Sequence, residues 1–158
     1  MDLATLNASD QAEFTSTLAD IFEHSPWVAE RAWLKRPFAD VGELHAIMTA
    51  VVAEATLEEQ LGLLCAHPEL AGREAREGEL TEASTGEQAG ARLDRLSSEE
   101  MTTISELNAA YGEKFGFPFI IAVRNHDKNG IFSEFRRRVE NAIDEERDTA
   151  LGQVSLIA

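Results

Sequence analysis

The chain is poor in cysteine, in positive charge and in long apolar runs, and each shortage excludes a class of protein. Cys65 is the single cysteine among 158 residues, so an internal disulfide is impossible and a reducing compartment is indicated. No apolar run approaches the roughly 20 residues that a membrane-spanning helix needs. The N-terminus has neither the basic region nor the apolar stretch of a signal peptide. We therefore expect a cytoplasmic protein with no membrane partner.

Positive charge is scarce over the chain as a whole. Lys and Arg number 14 against 29 Asp and Glu, which gives a formal net charge of −15. Such a surface repels phosphate backbones, so we expect no nucleic-acid partner. The basic run Arg136–Arg138 is the exception, and we interpret it as a solvated helix face.

Motifs for metals and cofactors are missing as well. The sequence has no Cys/His cluster at zinc-ligand spacing, no phosphate loop and no dinucleotide fingerprint. We expect neither a metal nor an organic cofactor, which leaves a cofactor-free reaction or simple binding. Cys65 and His67 are two positions apart at a helix end, where their side chains would not face each other. A small core residue is therefore favoured over a nucleophile for Cys65.

Helical periodicity dominates what is present. Signals for helix starts recur along the chain, and some are capping boxes, in which Ser or Thr is followed three residues later by Glu. These signals are Asp10 with Glu13, Ser25-Pro26, Asp40, Thr56 with Glu59, Ser84 with Glu87, and Ser97 with Glu100. The prediction is an all-α protein, a single domain over 1–158 that forms one bundle of roughly seven to eight helices.

The only β-like run is the segment Phe117–Val123, after a helix that Gly116 is well placed to end. The segment contains Pro118 and has no second strand with which to pair. We expect it to be a short extended segment buried within a helical protein.

Three islands of polar residues and proline interrupt the helical pattern, at 65–72, 84–88 and 115–124. Loops and helix ends on a rigid scaffold are where sites are usually built. Together the islands supply a histidine, a carboxylate, an amide, an arginine and an apolar wall. That inventory suits a pocket for a small polar ligand, with capacity for acid–base chemistry.

Each candidate residue also has a plainer interpretation. His67 could be a general acid, or a histidine favoured at a helix C-terminus by the dipole. Glu87 could receive N–H groups from a ligand, or only cap the backbone at Ser84. Arg124 could grip a substrate carboxylate, or be a solvated surface arginine. The segment Phe117–Val123 could be core, or one wall of the pocket with backbone groups available to a ligand.

The second island would suit an anionic or ureido ligand. Ser84, Thr85 and Gly86 would present the N–H groups of a helix N-terminus, and Gly86 would let the backbone approach closely. Gln88 adds a donor and an acceptor that match a urea or amide group.

Four segments, taken together, closely resemble one family, the 2-oxo-4-hydroxy-4-carboxy-5-ureidoimidazoline (OHCU) decarboxylases. The similarity covers essentially the whole chain in the order and spacing of the family. The segments are Phe22-Glu23-His24-Ser25-Pro26-Trp27-Val28, His67-Pro68-Glu69-Leu70-Ala71-Gly72, Ser84-Thr85-Gly86-Glu87-Gln88-Ala89-Gly90-Ala91, and Leu107-Asn108-Ala109-Ala110-Tyr111 running into 115–124. One departure is Glu69, where the family commonly has aspartate.

The resemblance implies an all-α homodimeric enzyme that converts OHCU to (S)-allantoin and CO₂ in urate catabolism, with no metal or organic cofactor. It maps the catalytic histidine onto His67. We place Glu87 beside His67 as a second catalytic group, and Arg124 as a weaker candidate for the substrate carboxylate. The substrate-binding positions that the resemblance implies are Pro68, Ser84, Thr85, Gly86, Glu87, Gln88, Phe119, Ile120, Ile121, Ala122 and Val123.

Two alternatives stay open at this point. The chain could be a non-catalytic helical interaction module, with the islands serving only as caps and packing features. It could also be an enzyme that acts on a related ureido acid.

Overall fold

The structure, a computed structural model, describes residues 2–70 and 96–158. Within those ranges it contains eight α-helices, one 3₁₀ turn and no β-strand, which confirms the all-α prediction. Numbered in chain order over the described residues, the helices are α1 Leu3–Ala8, α2 Gln11–Leu18, α3 Pro26–Trp33, α4 Val41–Ala53, α5 Leu57–Ala66, α6 Ser98–Phe115, α7 Lys128–Arg138 and α8 Ile143–Ile157. The 3₁₀ turn is Val123–Asn125. The helix start predicted at Ser84 lies outside the described residues.

Two compact units make up the chain, one of residues 1–66 with Ala158 and the other of residues 67–157. The prediction of a single domain over 1–158 stays a prediction. In the first unit α3 packs against both α2 and α4. Its core includes Phe14 and Phe38, whose rings stack with centroids 5.9 Å apart.

Helix starts in the first unit follow local chemistry. The carboxylates of Asp10 and Asp40 accept from the third backbone N–H beyond them, at 2.8 and 2.7 Å, and so cap α2 and α4. Thr56 and Glu59 form the reciprocal box that opens α5. These predicted starts are confirmed. The short helix α1, which Asp2 caps, was missed.

In the second unit α6 packs against α7 and α8. Ser97 and Glu100 form the predicted capping box at the start of α6. Gly116 ends the helix in the left-handed conformation at φ 78°, which glycine adopts without steric cost. The core surrounds Tyr111, whose ring lies 4.5 to 5.9 Å from those of four phenylalanines: Phe115, Phe117, Phe119 and Phe135.

The segment between α6 and the 3₁₀ turn is non-helical and buried, as predicted. Phe117, Phe119 and the residues that follow as far as Val123 are each at most 3% exposed. The interpretation of Arg136–Arg138 as a solvated face is wrong for Arg138, whose side chain is 1% exposed. Three consecutive helical positions point about 100° apart, so one of them must turn inward when the helix packs on two sides.

Among residues 2–70 and 96–158, no helix combines the length with the apolar composition that crossing a membrane requires.

Replacing Phe135 by Ala tests whether the aromatic cluster carries the stability of the second unit. Phe135 is fully buried and stacks on Phe119 with ring centroids 3.9 Å apart. The cavity left behind should lower the free energy of unfolding by about 3–5 kcal/mol in urea denaturation. Ile143→Ala, at a position about half exposed, is the control and should change it by about 0.5 kcal/mol or less. Equal effects of the two substitutions would contradict this account of the core.

Candidate active site

His67 immediately follows the last residue of α5, where the chain leaves the helix because Pro68 disfavours the α conformation before it. The side chains of His67, Pro68 and Glu69 are half-buried, and Leu70 is buried. A histidine in this setting is reachable by a small molecule while its backbone is held by the proline that follows. The placement fits the acid–base role predicted for His67.

Asn108 of α6 bonds the backbone of this segment at Leu70. Its amide nitrogen Nδ2 donates to the carbonyl oxygen of Leu70 at 3.0 Å, and the residue is 6% exposed. Within the described residues its buried Oδ1 has no hydrogen-bond partner. The loop that begins at His67 is therefore fixed at Leu70 by a side chain 38 positions away in the sequence.

The segment from Phe119 to Val123, predicted to line the substrate site, lies in the same unit as His67. Two side chains hold it. Arg138 Nη1 donates to the carbonyl oxygen of Ile120 at 2.7 Å, and Gln153 Oε1 accepts from the backbone N–H of Ala122 at 2.9 Å. Turn hydrogen bonds then use the carbonyl oxygens of Ala122 and Val123.

The buried ion pair between Arg138 and Glu146 supports this segment. Glu146 is fully buried, and its Oε1 accepts from Arg138 Nε at 2.7 Å and from the Tyr111 hydroxyl at 2.6 Å. Its Oε2 accepts from Asn141 Nδ2 at 2.9 Å. The Arg138 guanidinium also lies over the Phe119 ring, 4.4 Å from its centroid. Charge pairing and these hydrogen bonds offset the desolvation of Glu146 and part of that of Arg138, whose Nη2 lies 2.6 Å from Glu146 Oε1 but makes no hydrogen bond among the described residues.

This network perturbs the single tyrosine. Burial and, next, the hydrogen bond to the Glu146 carboxylate raise the pKa of Tyr111 well above its ordinary value. Both effects disfavour the phenolate, because it would be a second buried negative charge beside Glu146.

Part of the predicted site lies outside the described residues. Ser84, Thr85, Gly86, Glu87 and Gln88 lie outside the described residues, and Arg124 lies in the 3₁₀ turn. Their predicted roles therefore stay predictions.

Two open cavities elsewhere are not lined by any predicted site residue. One, of about 440 Å³, lies between α6 and α7, with Glu100 and Phe132 in its wall. The other, of about 620 Å³, lies on the first unit beside Thr15 and Pro26. Neither cavity is a candidate for the active site.

The sequence analysis missed the residues that support the site. Asn108 falls inside a segment that resembles the family, which was a usable signal, although periodicity alone makes it another helical position. Arg138, Glu146 and Gln153 gave no signal, since each looks like a surface residue of a helix until the partners are known. Within the described residues no group of three or more His, Cys, Asp or Glu could hold a metal ion.

Comparisons with known proteins extend these observations. The family model described as OHCU decarboxylase matches residues 7–158. A protein of Haloferax volcanii named 2-oxo-4-hydroxy-4-carboxy-5-ureidoimidazoline decarboxylase is 44% identical over all of this chain and 92% of its own length. These matches assign the chain to a class of lyases. Its all-α fold, with a histidine between a helix end and a proline, is consistent with that class. The chain belongs to the OHCU decarboxylase family.

Solved structures agree with that assignment. A crystal structure of (S)-allantoin synthase matches with a TM-score of 0.78 and 31% identity, over 99% of this chain and 51% of that one. This chain therefore spans about half of that protein. A crystal structure of OHCU decarboxylase in the presence of (S)-allantoin matches with a TM-score of 0.72 over 94% of this chain and 92% of that one. At 19% identity, this second match shows the fold alone.

Replacing Asn108 by Leu tests the anchor of the histidine loop. The Leu70 carbonyl would lose its donor within the core, so the free energy of unfolding should fall by about 1–3 kcal/mol. Urea denaturation followed by circular dichroism measures it. Asn129→Leu, at an exposed position of α7, is the control and should stay within about 0.5 kcal/mol of the wild type. If both variants behave alike, the bond to Leu70 contributes nothing to stability.

The single tyrosine allows a direct titration of the buried network, because no other phenol contributes. The raised pKa of Tyr111 means that the folded protein keeps the phenolic proton above pH 10, the usual value in the unfolded chain. The contribution of Tyr111 to the free energy of unfolding is therefore fully present below about pH 10, and it is lost as the pH rises further. Absorbance at 295 nm should show no phenolate near pH 10 in the native state.

The urea-unfolded protein is the control for this titration, and its phenol should ionise at about pH 10. A native protein that forms phenolate at the same pH as the unfolded one would contradict the burial of Tyr111.

Proposed function

We propose that this protein decarboxylates OHCU to (S)-allantoin and CO₂ as a step of urate breakdown. The match to the OHCU decarboxylase family over residues 7–158 carries the proposal. The half-buried histidine after α5 and the anchored segment Phe119–Val123 support it, because they fall at positions where the family resemblance implied a site.

The reaction needs positioning and proton transfer more than an added electron sink. When the bond between C4 of the ring and the carboxylate breaks, its electron pair forms a double bond to C5, and the ring C=N electrons move to nitrogen, which takes a proton. The C4 hydroxyl then gives up its proton to become a carbonyl, while C5 gains one. Holding the carboxylate out of the ring plane and delivering the C5 proton to one face are the tasks left to the protein.

The side chains divide these tasks in our proposal. His67 is the acid–base group near the departing carboxylate and the new C–H bond. Glu87 and Gln88 orient the ureido and ring N–H groups, and Arg124 is a partner for the carboxylate. The planar carbon formed after CO₂ leaves can be protonated from either face, so a fixed His67 makes one enantiomer.

The backbone of the extended segment supplies further contacts. Across the described ranges, no hydrogen bond uses the N–H or the C=O of Ile121. A residue whose N–H and C=O are both open can pair with the amide-like edge of a ureido ligand, which has a donor and an acceptor side by side. Ile121 thus serves binding through its main chain, which the family resemblance also suggests.

Other parts of the proposal come from the composition and the resemblance. We propose a cofactor-independent homodimer of single-domain subunits that works in the cytoplasm. The net charge of −15 supports the absence of nucleic-acid partners.

Replacing His67 by Asn should lower turnover about 10²–10⁴-fold, because Asn can hydrogen-bond but cannot exchange a proton at neutral pH. The assay is circular dichroism of allantoin formed from freshly generated OHCU. Stereochemistry reports catalysis better than yield does, since OHCU decays unaided to racemic allantoin. His45→Asn, at a half-buried histidine of α4, is the matched control and should keep the optical signal.

Three results would overturn parts of the proposal. Near-normal turnover of the His67→Asn variant would end the assignment of His67. Slow racemic product with the folded wild type would remove the activity and favour a non-catalytic binding module. Faster turnover of a related ureido acid in a side-by-side assay would change the substrate.

A further inference from the structure

Two side chains from different helices hold the extended segment on either side of Ile121. Arg138 of α7 fixes the carbonyl oxygen of Ile120, and Gln153 of α8 fixes the N–H of Ala122. Ile120 and Ala122 are 3% and 0% exposed, so both bonds are shielded from competing water. The peptide groups directly before and after Ile121 therefore have fixed positions.

Arg138 is itself immobile. Its guanidinium donates to Glu146 and lies over the Phe119 ring, and its side chain is 1% exposed. An arginine already held by two groups loses little further freedom when it bonds a third. The carbonyl oxygen of Ile120 is thus aimed by a rigid donor.

Gln153 differs from Arg138 in having no other described role. Its side chain is half-buried on α8, and its Oε1 lies 2.9 Å from the backbone nitrogen of Ala122. A glutamine at a helix surface gains nothing for helix formation over other long residues. The bond to Ala122 spans 31 positions in the sequence, so its described effect is on the segment.

We propose that Gln153 is a positioning residue for catalysis, which together with Arg138 presents the main-chain N–H and C=O of Ile121 to the ureido part of the substrate. This inference rests on the proposed function and adds to it the residue that sets the geometry of the backbone contact. Binding groups must be held to within about 0.5 Å of the productive position by a supporting layer of side chains. Without the Gln153 acceptor, the buried N–H of Ala122 would need another hydrogen-bond partner. The peptide group between Ile121 and Ala122 would rotate to reach one.

The experiment compares Gln153→Leu, which removes the acceptor at similar size, with Gln153→Glu, which keeps an acceptor oxygen. Optically resolved turnover of fresh OHCU should show that Gln153→Leu lowers kcat/KM about 10- to 100-fold. Gln153→Glu should remain within about 3-fold of the wild type, since a carboxylate still accepts from Ala122. Gln11→Leu, which removes a glutamine bonded to a main-chain carbonyl in the first unit, is the control and should leave kcat/KM unchanged.

Amide hydrogen exchange of Ala122 gives a second measurement that does not depend on turnover. Exchange should be faster in Gln153→Leu than in the wild type, and Gln153→Glu should restore protection. If the Leu variant does not fold, Gln153→Met is used in its place, because it has a similar length and no oxygen acceptor.

The outcomes separate the two levels of the proposal. An active wild type, with both the Leu and the Glu variants at its level, would overturn the role of Gln153 and leave the decarboxylase assignment intact. Equal losses in the Leu and Glu variants would also overturn it, because the acceptor would not be the deciding feature. A folded wild type that makes only racemic allantoin would overturn the proposed function and this inference together.

Discussion

The buried ion pair between Arg138 and Glu146 is the interaction on which the second unit depends. Two charges leave water there, which costs several kcal/mol for each ion unless pairing and hydrogen bonds replace the lost solvation. Tyr111 and Asn141 donate those bonds to the Glu146 carboxylate, and Nη1 of the Arg138 guanidinium donates to the Ile120 carbonyl. The pair thus joins α6, α7, α8 and the extended segment in one polar cluster.

Such a cluster selects one arrangement of its parts more than it adds stability. Apolar residues of similar volume could fill the same space at equal or lower free energy, but they would not distinguish one rotation of the segment from another. A carboxylate whose Oε1 and Oε2 both accept bonds fixes the directions of its donors. Arg138, oriented by Glu146, in turn fixes the position of the Ile120 carbonyl through its hydrogen bond. Because no strand within residues 2–70 and 96–158 pairs with the segment, side chains set its conformation there.

Sequence reasoning succeeded where the deciding contacts are local. Asp10, Asp40 and Ser97 each bond a backbone N–H three residues ahead, so their pattern can be read directly from the chain. Gly116 ends α6 for an equally local reason, the positive φ of the cap. Burial of the extended segment also followed from composition, since an apolar run without a partner strand has to lie inside.

The supporting residues of the site could not be found in this way, because their partners are distant in the sequence. The bonds from Asn108 to Leu70, from Arg138 to Ile120 and from Gln153 to Ala122 span 38, 18 and 31 positions. Arg138 looked like its two neighbours in a basic run, and only tertiary packing turns one of the three inward. The family resemblance supplied the positions predicted to touch substrate, but not the residues that hold them.

An extended segment between two helices is well suited to presenting its backbone to a ligand. Every interior N–H and C=O of an α-helix is used within the helix, so helices offer their backbone only at the ends. An extended segment releases those groups, and a buried one must then satisfy each of them by some other partner. Here Arg138 and Gln153 satisfy the groups that flank Ile121, while the hydrogen bonds of the described residues use neither the N–H nor the C=O of Ile121 itself. The same side chains that satisfy the irregular segment in the core therefore determine which main-chain groups stay unbonded, and these are the groups that the proposed function assigns to the substrate.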